Sequence, residues 1–162
     1  MPLELVTLPA LSDNYAYLLH DAASGDTACI DAPEAAPILA ELVKRGWSLT
    51  DIWLTHHHHD HTGGVDDLLD QYDAKVTGAA ADRHRLPSLN REVSEGNAFK
   101  FGGEVVEILD VSGHTDGHIA FVLPESRYAF TADSLMALGC GRLFEGTAAQ
   151  MWESLQKLAA LD

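Results

Sequence analysis

The sequence predicts a mixed domain of the α/β or α+β class, on three observations. Segments with the apolar character of strands are interspersed with segments of helical spacing along the whole chain. The 162 residues suit one domain of ordinary size, and no internal repeat, low-complexity tract or Pro/Ser-rich linker divides them. Hydrophobic residues make up 46% and charged residues 22%, the balance of a globular chain with a core rather than a disordered one.

Leu3–Leu8 reads as a strand. Tyr15–His20 and Thr27–Asp31 flank the turn-rich Asp21–Asp26 and read as a hairpin. Pro33-Glu34 opens a helix running to about Arg45. Ile38, Leu39, Leu42 and Val43 fall on one face of it, and Gly46 is a natural stop. Asp51–Leu54 is a short apolar strand that delivers the chain into a histidine run. Gly63-Gly64 then leads into a helix with Val65, Leu68, Leu69 and Tyr72 at helical spacing. Lys75–Gly78 reads as a strand, and Ala79–Asn90 as a helical turn with loop. Val105–Leu109, Ile119–Leu123 and Tyr128–Thr131 are the strands of the second half. Thr147-Ala-Ala-Gln150 has the capping-box pattern and starts a helix with Met151, Leu155 and Leu158 on one face. Trp47, Trp53 and Trp152 stand at apolar positions and read as core.

Ten Lys+Arg against 25 Asp+Glu give a formal net charge of −15. That argues against nucleic acid as the main partner, which needs a basic stripe, and against anionic membrane surfaces. Metal ions would still let such a chain bind anions. Two cysteines, Cys29 and Cys140, form no disulfide framework and fit a reducing compartment. Met1-Pro2-Leu3-Glu4 lacks a basic start and a long apolar run follows nowhere, so the cytoplasm is expected. The oligomeric state is left open.

Five of the nine histidines lie in one six-residue window, within Thr55-His56-His57-His58-His59-Asp60-His61-Thr62-Gly63-Gly64. In an extended loop, side chains alternate faces. His56, His58 and Asp60 then point one way, His57 and His59 the other, and His61 rejoins the first group where the helix begins. Imidazole and carboxylate suit zinc, iron or manganese, and four donors this close suggest two ions side by side. A solvated histidine run is the bland alternative, but a strand precedes this one and Gly-Gly follows. Gly113-His114-Thr115-Asp116-Gly117-His118 and Phe130-Thr131-Ala132-Asp133 are two further strand-end loops with metal-ligating side chains.

Thr-His-x-His-x-Asp-His, Gly-His-Thr and an Asp after a strand together resemble the metallo-β-lactamase superfamily. Leu11-Ser12-Asp13-Asn14-Tyr15 and Gly139-Cys140-Gly141-Arg142-x-Phe144-Glu145-Gly146 are similar to its glyoxalase II (hydroxyacylglutathione hydrolase) branch, and the similarity runs along essentially the whole chain. The resemblance implies a four-layer αββα sandwich. It implies two divalent ions, with zinc first and iron or manganese as alternatives. His56, His58 and His114 would hold one, Asp60 and His61 the other, and Asp133 would bridge them. Arg142 and Phe144 would contact glutathione, and Asp31 would support the site from behind. His118, four residues past His114 in a turn, reads from its position as a further support rather than a ligand. The implied reaction is hydrolysis of S-2-hydroxyacylglutathione thioesters (S-lactoylglutathione to lactate and glutathione) by a metal-bound hydroxide. Asp60 and Asp133 would be the carboxylates at the chemistry, Asp60 as a proton acceptor from water. The alternatives are another hydrolase of the fold, a persulfide dioxygenase using one iron, or a metal-binding module without turnover. The Gly-Cys-Gly-Arg stretch speaks against the dioxygenase.

The family pattern continues past a helix matching Thr147–Leu161 into a strand, a Gly-His-Glu-Tyr-like segment whose His completes the second metal site, and a helical glutathione-binding domain. Residues 1–162 are therefore expected to form a catalytic domain short of those elements, with an exposed sheet edge. Ala132 stands where the family usually has Gly, and Phe144 where many members have Tyr. Cys140 is expected to be a small buried residue, and His20 and His84 to be ordinary surface or strand-end residues.

Overall fold

The computed structural model describes residues 3–161, in which ten strands form two sheets. The first sheet holds β1 (Glu4–Ala10), β2 (Asn14–His20), β3 (Thr27–Ile30), β4 (Asp51–Trp53), β5 (Lys75–Ala79) and β6 (Arg91–Val93), in that spatial order. β1, β2 and β3 are antiparallel neighbours, whereas β3 to β6 run parallel. The second sheet is antiparallel: β7 (Ala98–Phe101), β8 (Glu104–Asp110), β9 (Ile119–Leu123) and β10 (Tyr128–Phe130), with β10 at one edge.

Side-chain alternation sorts these strands into two cores. Ala16, Leu18, Cys29, Ile52, Leu54 and Val76 face outward from the first sheet onto helix α1 (Ala35–Arg45), which supplies Ile38 and Leu42. Their neighbours Leu19, Ala28, Ile30 and Trp53 face inward and meet Val106, Ile108, Phe121 and Leu123 of the second sheet. Trp53 fills the middle, with the rings of Phe99, Phe101 and Phe121 at 5.3, 5.2 and 5.3 Å. Helix α4 (Ala148–Ala159) closes the far face, where Leu158 packs on Val111 and Ala120. The order is helix, sheet, sheet, helix, as the resemblance implied. No helix of the described residues is long and apolar enough to cross a membrane.

Several local readings change. An unexpected turn of helix, α2 (His59–Thr62), comes first, and the helix expected after Gly63-Gly64 is present but short, α3 (Val65–Leu69). α2 begins inside the histidine run, so side-chain alternation ends there and His59 is exposed. β6 and β7 were not expected. β7 and β8 form a hairpin across Gly102-Gly103, both at positive φ (57° and 83°), the glycine-demanding turn that matches strand twist. On α4 the buried stripe is Met151, Ser154 and Leu158. Trp152 lies one residue off it and is 62% exposed, so it is not core. Its capping box forms as read: the Thr147 hydroxyl accepts from the Gln150 amide (3.2 Å) and the Gln150 side chain accepts from the Thr147 amide (2.8 Å).

The parallel strands set up the site. Open sheets gather ligands at the carboxyl ends of their parallel strands. β3 ends just before Asp31, β4 just before Thr55-His56, and β5 just before a tight turn carrying Asp82. The second sheet brings the loop after β8 and the turn after β10 to the same end.

Candidate metal centre

Asp31 organises the centre from below. Its carboxylate is buried and accepts from the Thr55 amide (2.9 Å), the Thr55 hydroxyl (2.8 Å) and His61 Nδ1 (2.8 Å). The Thr55 hydroxyl spends its proton on Asp31, so its oxygen accepts from His56 Nδ1 at 3.0 Å. His114 Nδ1 donates to the Arg142 carbonyl at 2.6 Å. In each case Nδ1 is fixed as a donor, which turns Nε2 of His56, His61 and His114 toward the interior.

Those nitrogens converge. His58 Nδ1 lies 3.1 Å from His56 Nε2 and 3.0 Å from His114 Nε2. Two tetrahedral nitrogen ligands at zinc distances stand roughly 3.3 Å apart, so the triad needs little adjustment to hold one cation. A second group joins His56, His61 and Asp133. Asp133 turns one oxygen to each: Oδ2 is 3.2 Å from His114 Nε2 and Oδ1 is 3.4 Å from His61 Nε2. His61 Nε2 is buried with no hydrogen-bond partner, an orphaned nitrogen that a cation would satisfy by displacing its proton. The residues present therefore fit a divalent cation.

The electrostatics agree. Burial, reinforced by the surrounding imidazoles, pushes His56 far below the ordinary histidine range, and His58 is lowered for the same reasons. Both are neutral, as ligands must be. Burial disfavours charge on His61, but the Asp31 and Asp133 carboxylates together outweigh it and raise this imidazole to about 10. Asp133 is held below the usual carboxylate range by His61, with His114 and His118, against the opposing effect of burial.

Asp60 stands at the margin. Its carboxylate is half exposed, Oδ2 accepts from Asn14 Nδ2 at 2.9 Å, and the same oxygen is 3.6 Å from His61 Nε2. Phe144 lies edge-on to His58 (5.4 Å) and His114 (5.3 Å), and the Arg142 guanidinium sits over its ring at 5.1 Å. Both are exposed beside the donors. Gly141 carries this loop past the centre: a Cβ there would lie 2.5 Å from the Asp133 carbonyl oxygen and 2.9 Å from His114 Nδ1. His118 is fully buried and stacks on His56 at 4.5 Å. Its Nδ1 donates to the Ile119 carbonyl, and burial pushes it down to about 3. Cys140 is exposed, because the loop that carries it lies on the rim. His57 turns away from the donors, as alternation requires, toward buried Asp82 at 2.9 Å. Asp82 and Arg85, which connect to it, carry no local motif, and Glu145 lies in the 139–146 stretch, whose resemblance implies roles only for Arg142 and Phe144. A cleft of about 670 Å³ opens beside His61 and Asp133, lined among others by Tyr15, Tyr17, Arg127 and Tyr128.

A family model described as the Metallo-beta-lactamase superfamily matches residues 14–162. A hydroxyacylglutathione hydrolase of Ruegeria pomeroyi is 68% identical over 161 residues, 99% of this chain; the chain spans 63% of that relative's length. Among solved structures, the BLEG-1 B3 metallo-beta-lactamase aligns with a TM-score of 0.89 at 19% identity, over 98% of this chain and 87% of that one. A protein designated TTHA1623, solved in a di-iron-bound form, aligns with a TM-score of 0.82 at 28% identity, over 98% and 87% of the two chains.

Proposed function

This chain belongs to the metallo-beta-lactamase superfamily, and from that premise we propose that it hydrolyses the thioester bond of S-2-hydroxyacylglutathiones, S-lactoylglutathione giving lactate and glutathione. The observation that carries this reading is the likeness of nearly the whole chain to the Ruegeria hydroxyacylglutathione hydrolase. Residues 1–162 then correspond to the catalytic domain. We assign His56, His58 and His114 to one divalent ion and Asp60 and His61 to a second, with Asp133 between them. Zinc suits the mixed imidazole and carboxylate set, and the di-iron relative supports iron as the alternative.

Bound divalent ions would supply an activated water at neutral pH and polarise the thioester carbonyl. The chain does the rest. Asp31 orients His61 directly and His56 through Thr55, so both turn Nε2 to the centre. Asn14 leaves Oδ1 of Asp60 free to accept a proton from an attacking water. Phe144 shields His58 and His114 from solvent, and Arg142 offers an exposed cation to a glutathione carboxylate. The leaving thiol, with a pKa of about 8.5, departs as thiolate without a strong general acid.

The test is hydrolysis of S-lactoylglutathione by the zinc-loaded chain, compared with the same acyl group on a simple thiol. Turnover that prefers the glutathione ester and disappears in His58→Ala is expected. Bound metal without turnover would make this chain a metal-binding module and overturn the proposal.

A further inference from the structure

We propose that Asp82, Arg85 and Glu145 form an ionic clasp that positions the metal donors by tying together the three loops that carry them and the substrate contacts. The proposal rests on the metal-dependent reading above and extends it to residues outside the donor set.

Asp82 follows β5 and is fully buried. One of its oxygens takes His57 Nδ1 at 2.9 Å, and the other takes the Arg85 Nε–H. A buried carboxylate persists only when it is paired in this way. His57 is the residue between His56 and His58, so this bond pins the backbone of the first donor loop. The Arg85 guanidinium then reaches both oxygens of Glu145, the forked geometry that arginine makes and lysine cannot. Glu145 lies 60 residues away in sequence, on the loop that holds Arg142 and Phe144. Arg85 keeps the Glu145 carboxyl below its usual range.

The third loop is caught at one residue. Arg85 Nη2 donates to the Asp116 carbonyl at 3.0 Å, and Glu145 Oε2 accepts from the Asp116 amide at 2.7 Å. Asp116 is two residues past His114. The two outer loops also share bonds nearer the centre, from the Phe144 amide to the His114 carbonyl and from the Gly146 amide to the Gly113 carbonyl, each 3.1 Å. The Arg142 carbonyl in turn sets the His114 tautomer. Releasing Glu145 would therefore loosen the acceptor that directs His114 Nε2 at the metal. These are positioning residues: none of the three is among the donors.

The test uses Glu145→Gln, at a partly exposed position, and Arg85→Lys. Three quantities are read: cobalt(II) affinity, the visible absorption band of the cobalt-loaded chain, and amide exchange of the metal-free chain. Each variant is expected to bind cobalt about tenfold more weakly, the usual scale for supports behind a ligand, with a displaced band. The Phe144 and Gly146 amides should exchange at least tenfold faster, while Cys29 and Ile52 in the first sheet stay unchanged. Two folded variants with wild-type affinity and band would overturn the clasp, even with faster exchange, because its role would then be only structural. A wild-type chain that takes up no cobalt would overturn both readings. A chain that binds cobalt and responds to the variants, yet leaves thioesters intact, would overturn the proposed activity alone.

Discussion

Asp31 sits at φ 55°, in the left-handed region, at a position buried below the centre. Asp tolerates that conformation better than most residues, yet it still costs on the order of 1 kcal/mol. Three hydrogen bonds to its carboxylate offset that cost and fix two imidazoles. Asp31→Ala should lose about 3 kcal/mol of stability in urea, because it strands the Thr55 amide and His61 Nδ1 in the interior. Asp31→Asn keeps the shape but removes the charge and puts an NH2 donor against buried donors, so it should lose nearly as much. A loss less than half as large would mean that shape rather than the carboxylate is what matters. His61 gives the pH dependence. Its folded pKa of about 10 exceeds the unfolded value, so its proton stabilises the metal-free chain fully below about pH 6.5 and that contribution is lost as pH rises toward 10. A cation on the His61 side must displace this proton, so its affinity should rise about tenfold per pH unit. His56 and His58 are already neutral and add no such slope. Zinc calorimetry at pH 6.5, 7.5 and 8.5 should show one steep and one shallow equivalent. Equal slopes would contradict the assignment. Ala132 also lies at positive φ, 41°, just before Asp133, where the resembling family usually has Gly. Ala132→Gly should raise the urea midpoint by an amount worth about 1 kcal/mol, and a lowered midpoint would show that the backbone there is unstrained.

At the scale of elements, α4 does more than cover a sheet. The Ser154 hydroxyl donates to the Ser112 carbonyl at 2.7 Å and Lys157 Nζ to the Asp110 carbonyl at 2.9 Å, so the helix braces the segment leading to His114. Removing its cap with Thr147→Ala should cost about 1 kcal/mol, measured by thermal or urea unfolding. No change would mean that packing alone sets where this helix begins. The capping box was legible because its two partners are three residues apart. The same holds for the donors: His56, His58, Asp60 and His61 announce themselves within six residues, and His114 and Asp133 follow recognisable strand ends. Trp152 misled because its apolar character says nothing about which side of the buried stripe it falls on. β6 has only three residues and no readable period, whereas β7 carried a usable signal in Phe99, Phe101 and Gly102-Gly103. Glu145 lies within the 139–146 stretch that resembles the family, but its partner Arg85 carries no signal, since only the fold brings the two together.

For the whole molecule, charge is the property that bears on approach of the substrate. The formal charge is −15, and two divalent ions would offset only four of those units. A glutathione thioester is itself anionic, so at long range the protein repels the substrate that its centre is proposed to take. The repulsion reaches about 30 Å at 0.01 M salt and about 8 Å at 0.15 M. Raising salt across that range should therefore increase kcat/KM for the glutathione ester several-fold, while an uncharged thioester with the same acyl group stays flat. The pairing of substrates separates screening from any effect of salt on the fold or the metal, which would move both. A decrease for the glutathione ester alone would mean that local attraction at Arg142 and the bound ions governs encounter, and that the acidic surface lies too far from the approach path to matter.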